Sequence, residues 1–188
     1  LVAAAPAAAG TYTVHGCHTP DGRAAPIEGW VSGYNPGASG YIGNNDYCGA
    51  GGGLTMSHFI PAGYGSFTWS NGTSSQWTFT APKDTEIASV ALRRSFNGSS
   101  DPALGFQAID RTGYREYCFG GCTLAGDATY GNVGGTTFQV RQLCSGHDCS
   151  DTHSVVSAVQ RSAIALRDDT APTLAAPAGA LVAPGRVL

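Results

Sequence analysis

The densest run of side chains capable of chemistry is Cys144-Ser-Gly-His-Asp-Cys-Ser-Asp-Thr-His153. Neutral imidazoles and carboxylates at His147, Asp148, Asp151 and His153 could ligate a metal. Their spacing matches no defined site, however, and a disulfide-closed turn with polar residues facing water explains the run better. His15 and His18 flank Cys17 with no third ligand in view. Three residues apart on a strand, they point to opposite faces and read as loop-edge histidines. Acid–base hydrolysis of a glycoside needs two carboxylates across a cleft. The glutamates are Glu28, Glu86 and Glu116, while Asp21, Asp46, Asp84, Asp101, Asp110 and Asp127 sit in turn-like contexts. No Gly-x-Ser-x-Gly elbow is present, so no nucleophilic serine is signalled. The sequence therefore assigns no catalytic residue, no metal ligand and no cofactor.

Aromatic side chains carry a different chemistry, because an exposed ring can stack on the apolar face of a sugar. Trp30, Tyr34, Tyr41 and Tyr47 lie in or beside a glycine-rich stretch over 32–53. They are the candidate sugar-binding residues. Trp69 and Trp77 sit in alternating segments and read as core.

The elements that must position these residues are strands. Segments 11–17, 65–69, 76–80 and 136–143 alternate apolar with polar residues and are rich in aromatic and β-branched types. Segments 87–94 and 154–166 are longer and contain alanines that would suit a helix. Set among strands and turn signals, they are predicted as strands too. Residues 70–75, Ser-Asn-Gly-Thr-Ser-Ser, predict a hairpin loop joining the strands of Trp69 and Trp77. The stretch 32–53 predicts a long surface loop held by Cys48. About ten short strands at this spacing predict an all-β, two-sheet β-sandwich, with a jelly roll as the natural arrangement.

Six cysteines fit three disulfides in an oxidising compartment better than a zinc ribbon, which needs paired Cys-x-x-Cys motifs. Local proximity favours Cys17–Cys48, Cys118–Cys122 and Cys144–Cys149 among the possible connectivities. Residues 1–10, Leu-Val-Ala-Ala-Ala-Pro-Ala-Ala-Ala-Gly, resemble the end of a signal peptide, which again implies export. No run reaches the ~20 apolar residues of a membrane-spanning helix.

The chain has 188 residues, is 12% charged and carries a formal net charge of -3. Charged residues are thus about half the usual ~25%, and no basic footprint for nucleic acid exists. So little charge protects weakly against association. The ends add to this. Leu174, Leu181, Val182, Val187 and Leu188 make an apolar, proline-punctuated tail, and Leu1 and Val2 begin another apolar segment. Strand addition to an open sheet edge would bury such segments and link copies of the chain head to tail. The expected organisation is an N-terminal extended segment or signal-peptide remnant over 1–9, a sandwich over 10–168, and an extended tail over 169–188.

Several phrases together resemble a known group. They are Thr11-Tyr-Thr-Val-His-Gly-Cys-His-Thr-Pro-Asp-Gly22 with Gly29-Trp30, Trp77-Thr-Phe-Thr-Ala-Pro82 with Ile87-Ala-Ser-Val-Ala-Leu-Arg-Arg94, and the Cys118/Cys122 pair. Over roughly 10–172 the chain resembles exported actinobacterial proteins in which a lectin-like or jelly-roll sandwich is often followed by Ig-like modules. Such modules open with a phrase like Asp169-Thr-Ala-Pro172, and this chain stops at Leu188, before one could form. The resemblance implies fold and export, and no active site.

Two functions follow as expectations. The leading one is a non-enzymatic, secreted structural subunit, associated with the cell surface, that polymerises through its terminal segments. The alternative is a secreted carbohydrate-binding module using Trp30, Tyr34, Tyr41 and Tyr47 on extracellular glycans.

Overall fold

The computed structural model describes residues 10–37 and 40–168. The described strands run in chain order as β1 (Gly10–His18), β2 (Ala24–Ala25), β3 (Trp30–Asn35), β4 (Ile42–Asp46), β5 (Leu54–His58), β6 (Phe67–Trp69) and β7 (Ser74–Thr80). They continue as β8 (Thr85–Phe96), β9 (Leu104–Asp110), β10 (Gly113–Phe119), β11 (Leu124–Gly131), β12 (Thr137–Cys144), β13 (Cys149–Asp151) and β14 (Val155–Asp168). A single 3₁₀ turn, Cys48–Ala50, interrupts the strands, and no α-helix occurs among the described residues.

One sheet has the order β11-β8-β14-β1-β2, with β5 and then β4 paired to the other half of the same edge of β14. The second sheet has the order β10-β9-β12-β7-β3. All pairings are antiparallel. From β7 to β14 the chain crosses between sheets at every step except the β9–β10 hairpin and the short β13. Quartets β7-β12-β9-β10 and β5/β1-β14-β8-β11 thereby form the two interlocked Greek keys of a jelly roll. The all-β two-sheet sandwich expected from the strand pattern is the fold.

Alternation within each strand builds the core. Trp77 and Phe79 of β7, Phe138 and Val140 of β12, and Phe106 and Ala108 of β9 point inward and are buried. Val90 and Leu92 of β8 and Ile164 and Leu166 of β14 meet them from the other sheet. Successive side chains take opposite faces of a strand. The residues between these therefore form the outer face of the second sheet.

Two polar groups cross between the sheets. His58 of β5 is fully buried; its Nδ1 lies 2.9 Å from Gln142 Nε2 and its Nε2 lies 3.3 Å from the Thr73 carbonyl. The Gln142 amide also donates to the Val155 carbonyl, and its oxygen accepts from Ser157 Oγ at 2.7 Å. Gln142 donates to Nδ1, so the ring proton sits on Nε2 and reaches Thr73 (an assignment made from the network). Burial pushes the His58 imidazole down to about 4, so the ring is neutral. At the β10/β11 side, Arg94 of β8 forks onto Glu116 of β10, with Nε–Oε2 at 3.0 Å and Nη2–Oε1 at 2.5 Å. Tyr130 Oη donates to the same carboxylate at 2.6 Å. Burial opposes ionisation of Glu116, but the bonds from Arg94 and Tyr130 outweigh it and hold the carboxyl below its ordinary value.

The structure joins the cysteines as Cys17–Cys48, Cys118–Cys122 and Cys144–Cys149. Two local expectations are corrected. Residues 70–75 do not close a hairpin, because β6 pairs with β13 whereas β7 pairs with β12 and β3. Hydrogen bonds tie that turn to Cys144 instead, Gly72 N to its carbonyl and its N–H to Thr73. The stretch 32–53 is not one long loop. It holds most of β3, all of β4 and the 3₁₀ turn, since backbone pairing to β7 and β5 satisfies it despite its many glycines.

Candidate functional site

On the outer face of the second sheet, the register places side chains in rows that run across the strands. The central row is Tyr117 (β10), Gln107 (β9), Arg141 (β12), Gln76 (β7) and Gly33 (β3). A neighbouring row is Tyr114, Ile109, Gln139, Thr78 and Val31. Five strands at ~4.8 Å spacing make each row about 19 Å long.

The central row is partly locked and partly free. Arg141 Nε donates to Gln107 Oε1 at 2.7 Å, which orients the guanidinium along the row. Its Nη amines have no partner among the described residues. Gln107 is only 6% exposed, so it acts as a fixed acceptor beneath the surface. The Gln76 amide has no hydrogen-bond partner among the described residues. It lies against Gly33, where an added Cβ would come within 3.0 Å of Gln76 Nε2. In the next row, Gln139 Nε2 donates to Thr78 Oγ1 at 3.2 Å. At the β10 edge, Tyr114 and Tyr117 are 63% and 72% exposed and offer ring faces and hydroxyls. The two rows contain no carboxylate, and Arg141 is their one charged side chain. Preset donors and acceptors flanked by exposed rings suit hydroxyl-rich ligands.

The residues expected to bind sugar fall elsewhere. Trp30 is corrected: it is 5% exposed, packs edge-on to Phe79 at 5.7 Å and donates from Nε1 to Ser162 Oγ at 3.1 Å. A ring so enclosed presents no stacking face. Gly16 makes room for it, since a Cβ there would stand 2.6 Å from Ser162 Oγ and 3.1 Å from Trp30 Nε1. Tyr34 is exposed on β3 but opposite the core residue Ser75, so it is not part of the outer rows. Tyr41 packs edge-on with Phe59 and Phe67, and its carbonyl accepts from Trp69 Nε1 and the Phe59 N–H. Tyr47 is exposed just before the 3₁₀ turn. Among the described residues no ring contact joins any two of these four.

The polar run after Cys144 is a disulfide-closed bend leading into the short strand β13, which pairs with β6. Asp151 accepts from Ser99 Oγ, the Ser100 N–H and the Thr152 N–H, and its carboxyl is held below the usual range because these bonds outweigh burial. Asp148 accepts from the Asn71 N–H. Among the described residues no three His, Cys, Asp or Glu side chains gather as a metal site. The assembly residues Leu1, Val2, Leu174, Leu181, Val182, Val187 and Leu188 lie outside the described residues.

The rows were missed in sequence reading because alternation marks which residues face out, but not which strands stand side by side. Gln107, Arg141 and Gln76 come together only through a register linking strands far apart in the chain.

No family model and no curated protein matches the chain. Among solved structures, it is similar to the CBM36-1 domain of a multidomain xylanase from the hindgut metagenome of Trinervitermes trinervoides. That likeness has 11% identity and a TM-score of 0.37, and covers 82% of this chain and 96% of that one. It is also similar to the Agl-KA catalytic domain, at 14% identity and TM-score 0.33, covering 95% of this chain and 31% of that one. A third is the catalytic domain of a GH87 alpha-1,3-glucanase in complex with nigerose, at 10% identity and TM-score 0.21, covering 92% and 30%. These likenesses are distant; the jelly roll is read from its own strand order and the site from its own residues.

Proposed function

We propose that this protein is a secreted, non-catalytic carbohydrate-binding module that lays an oligosaccharide across the outer face of the five-stranded sheet. The row Tyr117, Gln107, Arg141, Gln76 and Gly33 carries this reading. Tyr117 and Tyr114 stack on sugar rings at one edge, the Arg141 amines and the Gln76 amide bond hydroxyls in the middle, and Gly33 leaves the far edge open for the chain to leave. A row about 19 Å long suits an oligosaccharide better than a single sugar. Three disulfides fit an oxidising, extracellular setting. Among the described residues no helix is long and apolar enough to cross a membrane. The residues expected to carry self-assembly lie outside the described ones.

Affinity electrophoresis against neutral polysaccharides (xylan, mixed-linkage β-glucan, α-glucan, mannan, soluble chitin oligomers) tests it. Retardation by at least one polymer is expected. It should fall ten-fold or more in Tyr117→Ala and Arg141→Ala, whose circular dichroism is unchanged, and persist in Tyr47→Ala. No retardation by any polymer, or loss at Tyr47 rather than Tyr117, would refute the assignment.

A further inference from the structure

On the opposite side of the sandwich, the outer face of the first sheet holds a second, charged groove. Asp127 of β11 stands opposite Arg93 of β8, and Arg93 stands opposite Arg161 of β14. A bulge in β14 between Val159 and Arg161 produces this alignment, leaving Gln160 without a partner on β8. Like charges directly opposed on neighbouring strands are destabilising, and bulges recur where a strand re-aims a side chain for function. Asp127 compensates only one of the two cations. Its carboxylate pairs with Arg161 Nη2 at 3.1 Å, and the exposed Arg93 has no hydrogen bond or ion pair among the described residues.

The arginines line a two-lobed depression. One lobe, of about 350 Å³, is bounded by Arg93, Arg161, Gln160, His18 and the Thr19–Gly22 turn. The other, of about 280 Å³, shares Pro20 and Arg161, is bordered by Asp127 in its ion pair with Arg161, and is lined by Ala91 and Ala163. Asp21 also borders the first lobe, but Arg23 at 3.1 Å neutralises it. The uncompensated charge is therefore that of Arg93, beside a shallow floor of methyl groups that a ring can approach closely. A planar guanidinium with free amines matches a carboxylate in two-pronged fashion.

We infer that this groove is a second binding site, for a carboxylate-bearing sugar such as a uronic acid residue, with Arg93 and Arg161 holding the carboxylate and the alanine floor taking the ring. It is separate from the Tyr117–Arg141 row and on the other sheet, so it stands or falls independently of the neutral-glycan reading. A chain binding on both faces would bridge two polysaccharide strands.

The test is a titration of the full chain with D-glucuronate, followed by ¹⁵N NMR of backbone amides and arginine Nε–H groups. D-glucose, acetate and inorganic sulfate are run as separate arms. Glucuronate should shift the Arg93 and Arg161 signals saturably. Arg93→Gln should weaken it ten-fold or more, and Ala163→Leu, which fills the floor without changing charge, should weaken it as well. Arg141→Ala should leave it unchanged. In the absence of ligand, Arg93→Gln should melt no lower than wild type, since it removes a like-charge pair. Equal binding of glucose would show that charge is not read, and equal binding of acetate or sulfate would show that the ring is not. Either result, an unchanged affinity in Arg93→Gln, or no saturable shift at these arginines overturns the inference.

Discussion

Replacing His58 with asparagine should flatten the acid side of this protein's stability curve. The ring is buried between the sheets, with its protonation fixed by Gln142 and Thr73. In the fold its value lies at about 4, against 6.5 when unperturbed. The unfolded chain therefore binds the proton more tightly than the folded one. Stability from keeping the ring neutral is complete above pH ~6.5 and declines as pH falls from there towards ~4. Between about pH 7 and pH 5 the imidazole alone should remove about 2 kcal/mol, a sizeable part of an ordinary domain's stability. His58→Asn begins less stable, because Thr73 and Gln142 lose well-placed partners, but it lacks this titration. Urea unfolding followed by tryptophan fluorescence, with disulfides intact, gives the difference between the two slopes. His15, His18, His147 and His153 remain in both proteins, so their contributions cancel. Parallel curves for wild type and variant over this range would refute the placement of a neutral His58 in the core.

Other expectations follow from the packing. Gly16→Ala should break the Trp30–Ser162 hydrogen bond and lower stability by about 1–3 kcal/mol, read by thermal melting with a changed tryptophan emission maximum. Glu116→Ala leaves the enclosed Arg94 guanidinium unpaired and should cost about 3 kcal/mol in urea unfolding. Because the Glu116 carboxyl lies below its unfolded value, its contribution is full above that value and fades as pH falls through the folded one. Replacing Cys17 and Cys48 together with serine opens a loop of sequence separation 31 and should cost about 3–4 kcal/mol, measured by calorimetry.

Much of this fold was legible because a half-buried strand writes its two faces into the sequence. Residues 76–80 and 136–143 alternate, and the structure buries Trp77, Phe79, Phe138 and Val140 as that alternation requires. The alanine-rich segments 87–94 and 154–166 are strands in spite of their helix propensity, because tertiary pairing over β8 and β14 outweighs it. Trp30 misled for the opposite reason. It stands beside the glycine-rich stretch 32–53, which suggests a surface loop, but the cavity that receives it is made by Gly16, Phe79 and Ser162 from three other strands. Residues 70–75 misled because a turn signal fixes a reversal and not the partner of the strands it joins. The sheet-face rows were out of reach for the same reason, since outward alternation at Gln76, Gln107 and Arg141 is visible while their adjacency is not.

The central claim is that a glycan lies across the outer face of the β10-β9-β12-β7-β3 sheet. Mapping ¹⁵N amide and side-chain shifts during titration with the best-retained neutral oligosaccharide tests it most directly. The account predicts saturable shifts concentrated at Tyr117, Gln107, Arg141 and Gln76, with the Arg141 Nε–H and the Gln76 amide among the largest. Shifts centred instead on Tyr34, Tyr41 or Tyr47, or none at any oligosaccharide concentration, would contradict it.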